Sequence, residues 1–296
     1  MGKELADTFA EARAVFEEVD DALGVSLSTL CFEGPAEELM LTHNAQPALL
    51  AHGAAAWKVV QGALRPLVRA AAGHSLGEHT AYLAAAATTL TEAARLVRRR
   101  GQLMYHEGVT RPGAMAAIIG KLDQTVESLC QQATRDAGLV VPANYNTEEQ
   151  IVVSGEVGGV ERLMQLAKEA GAKRALRLPV SGAFHSPLME PAEKGLREAL
   201  AATSFAEPAF PVFSNVTEME SSSAAEAREL LATQLTSPVR WAGEITNIAS
   251  RFPDALFVEL GPGAVLTGLL SRIVPGAKGV ACGTPNEVDR LLSRVA

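Results

Sequence analysis

Apolar and polar positions along the chain sort first into helices. Residues 3–23 and 45–64 carry helical patterns and are joined by a loop around Gly34-Pro35. Pro66 to Ala72 is a short, mostly apolar run suited to a buried strand, though poor in β-branched residues, and Leu76 to Ala87 is rich in helix formers. Thr89 and Glu92 form a capping box for a further helix through Met104, closed by the segment Gly108 to Gly113.

The pattern then changes. Ala114 to Ile119 reads as a strand, Asp123 to Asp136 as a helix, Leu139 to Ala143 and Gln150 to Val153 as strands, Glu156 to Ala170 as a helix and Arg174 to Val180 as a strand. That is the β-α-β-β-α-β, ferredoxin-like order, in about the length such a unit takes. A small domain is therefore expected at 112–180, inserted in a large domain made of 1–111 and 181–296. The large part returns to α/β alternation: a strand at Pro211 to Ser214, helices at 224–235 and 239–250, a strand at Ala255 to Leu260, and the turn Gly261-Pro262-Gly263 into a helix from Val265 to Ile273. The expected class is α/β, with a parallel sheet in the large domain.

Composition agrees. The 296 residues are 48% hydrophobic, 20% charged and only 5% aromatic, which suits helices packed on a sheet. A net charge of −8 leaves no electrostatic footprint for nucleic acid. Cys31, Cys130 and Cys282 form neither a C-x-x-C pair nor a disulfide framework, so a reducing, cytoplasmic setting is expected. Met1-Gly2-Lys3-Glu4-Leu5 lacks the core of a signal peptide, and Ala6 stands where an acylation signal needs Ser or Thr. No apolar run approaches the ~20 residues that span a bilayer. A soluble protein without membrane or nucleic-acid partners is expected.

Chemistry enters with Gly73-His74-Ser75-Leu76-Gly77, which has the G-x-S-x-G form of a nucleophile elbow. Glycines on both sides of Ser75 are expected because the strand-to-helix turn leaves no room for side chains there. The helix that follows would aim unpaired N–H groups at the point where an oxyanion forms in acyl transfer. The large domain is thus α/β-hydrolase-like. Five-residue patterns of this kind also arise by chance, so the serine needs partners.

A serine hydroxyl needs a base, usually histidine. His74 adjoins Ser75 and should project elsewhere, while His43, His52, His79 and His106 lie in helical or helix-end contexts that favour surface or core roles. His185 sits in Ser181-Gly182-Ala183-Phe184-His185-Ser186-Pro187, a loop after a predicted strand, where a side chain can be held toward a cleft. An ordinary esterase fits poorly, because its triad histidine comes late and residues 186–296 contain none. Arg95, Arg98, Arg99 and Arg100 lie on the helix after the elbow. Such a run is usually a solvated face; an arginine reaching the cleft would instead pair bidentately with a carboxylate on the acyl group, and the pattern does not choose among the four.

Nearly end to end, the chain resembles the malonyl-CoA:acyl carrier protein transacylases. The motifs are Gln46-Pro47-Ala48-Leu49, Gly73-His74-Ser75-Leu76-Gly77-Glu78, Leu96-Val97 with Arg100-Gly101, Gly113-Ala114-Met115-Ala116-Ala117, Asn144-Tyr145-Asn146, Pro179-Val180-Ser181 with His185, Pro238-Val239-Arg240-Trp241 and Glu259-Leu260-Gly261-Pro262-Gly263. The resemblance implies Ser75 as nucleophile, His185 as general base and acid, the backbone carbonyl of Gln234 as the group orienting His185, and Leu76 as donor of an oxyanion N–H. It implies Arg100 as the clamp for the malonyl carboxylate, with His74, Phe184, Asn144 and Gln46 also at the substrate. The phosphopantetheine arm would lie between the domains, over Asn144, and Phe184 would exclude an α-methyl group.

Family members begin with a strand and a Gly-Gln-Gly-Ser-Gln loop that supplies a second oxyanion N–H, which is not found ahead of Met1-Gly2-Lys3-Glu4. The reading is a monomeric, cofactor-free and metal-free ping-pong transferase that moves malonyl from malonyl-CoA to acyl carrier protein in fatty acid biosynthesis. Two alternatives stand beside it: a serine hydrolase or thioesterase, and a carrier-protein binder weakened by the missing loop.

Overall fold

The computed structural model describes residues 1–180, 182–221 and 223–295. Seven helices come first: α1 (Lys3–Thr8), α2 (Ala10–Leu23), α3 (Leu27–Glu33), α4 (Ala36–Met40), α5 (Thr42–Leu64), α6 (Leu76–Ala84) and α7 (Leu90–Thr110). The helix expected at 3–23 is two, because Phe9 is extended at φ −117°. The loop expected around Gly34-Pro35 holds α3 and α4. Thr89 caps α7 as expected, its Oγ1 accepting from the Glu92 N–H at 3.2 Å.

Pro47 lies inside α5 and has no N–H to give the carbonyl of His43. Arg98 supplies the donor instead, its Nη1 lying 2.7 Å from that oxygen. One member of the arginine run is thus spent on a helix that its own proline interrupts.

The next elements are β1 (Gly113–Ile119), α8 (Val126–Ala137), β2 (Val140–Thr147), β3 (Gln150–Glu156), α9 (Val157–Glu169) and β4 (Arg174–Arg177). They form an antiparallel sheet in the order β2-β3-β1-β4, the ferredoxin-like arrangement the alternation predicts. Strand periodicity sends Ala114, Ala116 and Ile118 of β1 to the core under α8 and α9, and Met115 and Ala117 to the opposite face. That second face is covered in part by Leu178, Val180 and Phe184, from the chain leaving the unit. At the outer edge of β2 the main chain bulges near Asn144. There Ala143 O accepts from Val239 N and Tyr145 N donates to Val239 O, both at 2.8 Å, which fastens the small sheet to the large body.

The remaining elements are α10 (Glu190–Ala202), α11 (Ala224–Thr233), α12 (Trp241–Arg251), β5 (Leu256–Leu260), α13 (Val265–Ile273), β6 (Lys278–Cys282) and α14 (Pro285–Val295). β5 and β6 pair in parallel around α13, as an α/β body requires. The strand expected at Pro66 to Ala72 is smaller than expected: it contributes one parallel bridge, Ala71 to Val212. Few β-branched residues favour extended backbone there, and the run instead delivers the chain to the elbow.

Candidate active site

Ser75 stands between the Ala71 bridge and α6 in a conformation few residues adopt, φ 51° and ψ −106°. The turn is sharp enough that a Cβ on Gly73 would lie 1.9 Å from the carbonyl carbon of Gly77, so only glycine fits at 73. Gly77 differs from expectation. A Cβ built there meets nothing within 4 Å, so the crowding needs one glycine rather than two. Leu76 is the first residue of α6, and its N–H has no intrahelical acceptor, as an oxyanion donor requires.

His185 also has positive φ, 57°, and is held by a short turn in which Ser186 Oγ donates to Ala183 O at 2.6 Å and accepts from Leu188 N at 3.3 Å. Its Nε2 lies 2.9 Å from Ser75 Oγ and its Nδ1 lies 2.8 Å from the backbone oxygen of Gln234. A carbonyl can only accept, so Nδ1 carries the proton and Nε2 is free to take one from the serine. Gln234 caps the C-terminus of α11, where a carbonyl lacks a helical donor and carries the negative end of the dipole. Burial, and then the charge of Arg100, push the imidazole down to about 3, so it is neutral at ordinary pH with Nε2 unprotonated.

Tertiary structure selects one arginine of the four. Arg95 donates to Ala22 O on the surface, Arg98 serves α5, Arg99 is exposed, and Arg100 is 1% exposed with its guanidinium in the site. Its Nη2 donates to Ser75 Oγ at 3.1 Å and to Gln234 Oε1 at 2.9 Å, and its Nη1 donates to Gln46 Oε1 at 2.6 Å. Gln46, expected at the substrate, has its oxygen committed to orienting the arginine. Its Nε2 faces Met104 Sδ at 3.2 Å. Burial lowers the Arg100 pKa to about 10, which still leaves it charged.

His74 has its own partner, its Nε2 lying 2.8 Å from Asn146 Oδ1 on β2. It therefore ties the elbow to the small sheet. Asn144 is buried, and its backbone makes the bridge to Val239. Phe184, next to the base, packs on the face formed by Met115, Ala117, Ala143 and Val152. Both residues thus stand where the small sheet meets the large body.

Sequence reasoning missed three buried groups behind the elbow. Asn215 Oδ1 accepts from Ser75 N at 2.7 Å, while its Nδ2 donates to Gly73 O at 2.9 Å and to Glu244 Oε2 at 2.7 Å. Glu78 Oε2 accepts from Asn215 N at 3.1 Å and from Gln234 Nε2 at 2.7 Å. Glu78 lies in the elbow motif itself, one turn past Ser75. The other two carry no local pattern, since what marks them is convergence from α12 and from the loop after Val212.

A serine–histidine pair at the junction of an α/β body and an inserted ferredoxin-like unit is the architecture of an acyl transferase. A family model described as acyl transferase domain matches residues 1–282. The malonyl CoA-acyl carrier protein transacylase of Bacillus subtilis strain 168 is 42% identical over 290 residues, covering 98% of this chain and 90% of that protein. The transacylase of the same name from Escherichia coli K12 is 39% identical, covering 99% and 94%. A crystal structure of acyl-carrier-protein-S-malonyltransferase from Bartonella henselae superposes with a TM-score of 0.94 at 42% identity, covering 100% of this chain and 94% of that one. A malonyl-transacylase solved in complex with its type II polyketide acyl carrier protein gives 0.90 at 38% identity, covering 98% and 94%. The chain belongs to the malonyl CoA-acyl carrier protein transacylase family.

Proposed function

We propose that the protein transfers a malonyl group from malonyl-CoA to the phosphopantetheine thiol of acyl carrier protein, through a malonyl ester on Ser75, in fatty acid biosynthesis. The observation that carries this reading is one oxygen with two partners: Ser75 Oγ lies 2.9 Å from His185 Nε2 and 3.1 Å from Arg100 Nη2. A base and a fixed cation thus meet at one nucleophile, which suits an acyl group that ends in a carboxylate.

Ser75 Oγ gives its proton to His185 Nε2 as it attacks the thioester carbon, and the oxyanion meets the Leu76 N–H. Collapse expels the coenzyme A thiolate, which takes the proton from His185. The acceptor thiol then gives a proton to His185, attacks the malonyl ester and returns Ser75 to its hydroxyl form. The steps balance without a metal or cofactor.

Arg100 has a double effect in this scheme. With no carboxylate in direct contact it repels the imidazolium that must form, and a malonyl carboxylate paired with it offsets that repulsion. A substrate carboxylate therefore anchors the acyl group and strengthens the base. A malonyl hydrolase would use this cation equally, so the fate of the acyl group, to thiol or to water, separates the two readings.

We also assign the protein to the cytoplasm, in keeping with three free, buried cysteines, and to a monomer, since every group in the scheme comes from one chain. The test of the function is intact mass after incubation with malonyl-CoA. The unmodified protein should gain one malonyl group and pass it to holo acyl carrier protein faster than to water. Malonyl mass on Ser75→Ala would refute the nucleophile, and release to water alone would favour the hydrolase.

A further inference from the structure

Arg100 is a buried cation with no carboxylate in direct contact among the described residues. The side-chain amide of Gln234 leads from it to one. Gln234 Oε1 accepts from Arg100 Nη2 at 2.9 Å, and Gln234 Nε2 donates to Glu78 Oε2 at 2.7 Å. The amide cannot be turned around. Its nitrogen also faces Ser75 O at 3.1 Å and Asn215 Oδ1 at 3.2 Å, both acceptors, so a flip would set oxygen against oxygen. Glu78 is fully buried, and its Oε1 has no partner among the described residues.

We propose that Glu78 is the resident counter-ion of Arg100, joined to it through the Gln234 amide, and that it yields this role to the substrate carboxylate by taking up a proton from solvent. The inference rests on the reading that Arg100 holds the malonyl carboxylate. Glu78 does not touch substrate; it is a positioning residue that sets the charge state of the site.

The charge balance supports it. Glu244 Oε2 accepts from the same Asn215 that donates to Glu78, and Glu244 Oε1 is likewise unpartnered among the described residues, so two buried carboxyl groups share one asparagine behind the elbow. A substrate carboxylate on Arg100 beside an ionised Glu78 would set two negative charges against the one buried guanidinium, and the neutral acid is the cheaper form of a buried carboxyl whose second oxygen has no partner among the described residues. Burial already raises Glu78 to about 7 and holds Glu244 well above the carboxylate range.

Neighbouring titratable groups are shifted as well, and Glu244 is raised by burial and by the charge of Glu78. From α7, Arg100 stays charged; on α6, the helix of Glu78, Tyr82 is raised and His79 is held low; in the site His74 and His185 are lowered. Glu218 acts on Glu244 from the outer side. By linkage, if a bound malonyl carboxylate favours protonated Glu78, protonated Glu78 favours malonyl binding by the same factor. Malonyl affinity should fall as pH rises through the Glu78 pKa, and acetyl affinity should not.

The test is calorimetric binding of malonyl-CoA and acetyl-CoA to Ser75→Ala, from pH 5.5 to 8.5, in two buffers of different ionisation heat. The coenzyme A phosphates are common to both ligands and cancel in the ratio. The expected result is a malonyl-to-acetyl Kd ratio that rises above pH 7, with a limiting slope of about tenfold per pH unit, and proton uptake specific to malonyl-CoA. Ser75→Ala/Glu78→Gln should flatten the ratio, while Ser75→Ala/Glu244→Gln should keep the slope. A flat ratio in Ser75→Ala overturns the proposal even if the Glu78 variant does not fold, and so does a slope that survives Glu78→Gln. Ser75→Ala/Arg100→Ala separates the two levels of argument. Loss of malonyl preference there beside a flat ratio in Ser75→Ala sinks the Glu78 role alone; unchanged preference removes the clamp and this inference with it.

Discussion

Replacing Arg100 by alanine should convert a malonyl-selective enzyme into one that favours neutral acyl groups. In the structure the guanidinium is 1% exposed and is oriented by Gln46 at Nη1 and by Gln234 and Ser75 Oγ at Nη2. Without it a malonyl carboxylate enters a buried site unpaired. Truncating one partner of a buried, hydrogen-bonded charge pair costs roughly 2–5 kcal/mol, so kcat/KM for malonyl-CoA should fall by about 30-fold to several thousand-fold. An acetyl group loses no partner, and removing the cation relieves the repulsion that holds His185 low. Acetyl transfer should therefore stay within about tenfold of the parent or rise, since one pKa unit is only about 1.4 kcal/mol.

The variant also leaves Gln46 Oε1 and Gln234 Oε1 without a donor, at about 1–3 kcal/mol each, so thermal melting must confirm that it is folded at the assay temperature. Arg100→Lys keeps the charge and loses the fork, and should fall between the two. The assay is initial-rate transfer to pantetheine from malonyl-CoA and from acetyl-CoA, on one preparation. Equal losses for both substrates would show that Arg100 supports the fold and not the choice of acyl group.

Three further outcomes follow from the same geometry. Gly73→Ala should destabilise the protein by about 3 kcal/mol or more, because its Cβ meets unyielding backbone at 1.9 Å, whereas Gly77→Ala should change stability by no more than about 1 kcal/mol; equal melting shifts would refute the crowding argument. Phe184→Ala should raise methylmalonyl transfer relative to malonyl transfer by about 1–3 kcal/mol in specificity, as one methyl-sized exclusion allows, and an unchanged ratio would remove the steric role of the ring. For acetyl-CoA, the acid limb of kcat/KM should lie far below pH 6.5, because His185 is held near 3 by burial and by Arg100, and Arg100→Ala should move it upward; a limb near 6.5 in the parent would show the base to be solvated.

Local chemistry carried much of this protein in its sequence. The small unit was legible because its six elements alternate with sharp turns and consistent periods, and the observed sheet order follows from that alternation. The Thr89 cap and the Gly73 turn were legible because each depends on residues within four positions of itself. Ser75 and His185 stood out by the same logic, one in a turn that only a glycine permits and one in a loop bounded by Gly and Pro.

Tertiary structure decided what depends on convergence. Four arginines on one helix look alike in sequence, and only the packing of α5 and α10 against α7, with Gln46 and Gln234 reaching its guanidinium, makes Arg100 the buried one, while Pro47 gives Arg98 its different task. The resemblance identified Gln234 by its backbone oxygen, but its side-chain amide, which joins Arg100 to Glu78, became visible only in the folded chain. Asn215 and Glu244 carry no pattern at all. They matter because two distant segments meet behind the elbow, where water is excluded and each buried polar atom must find its partner in the protein.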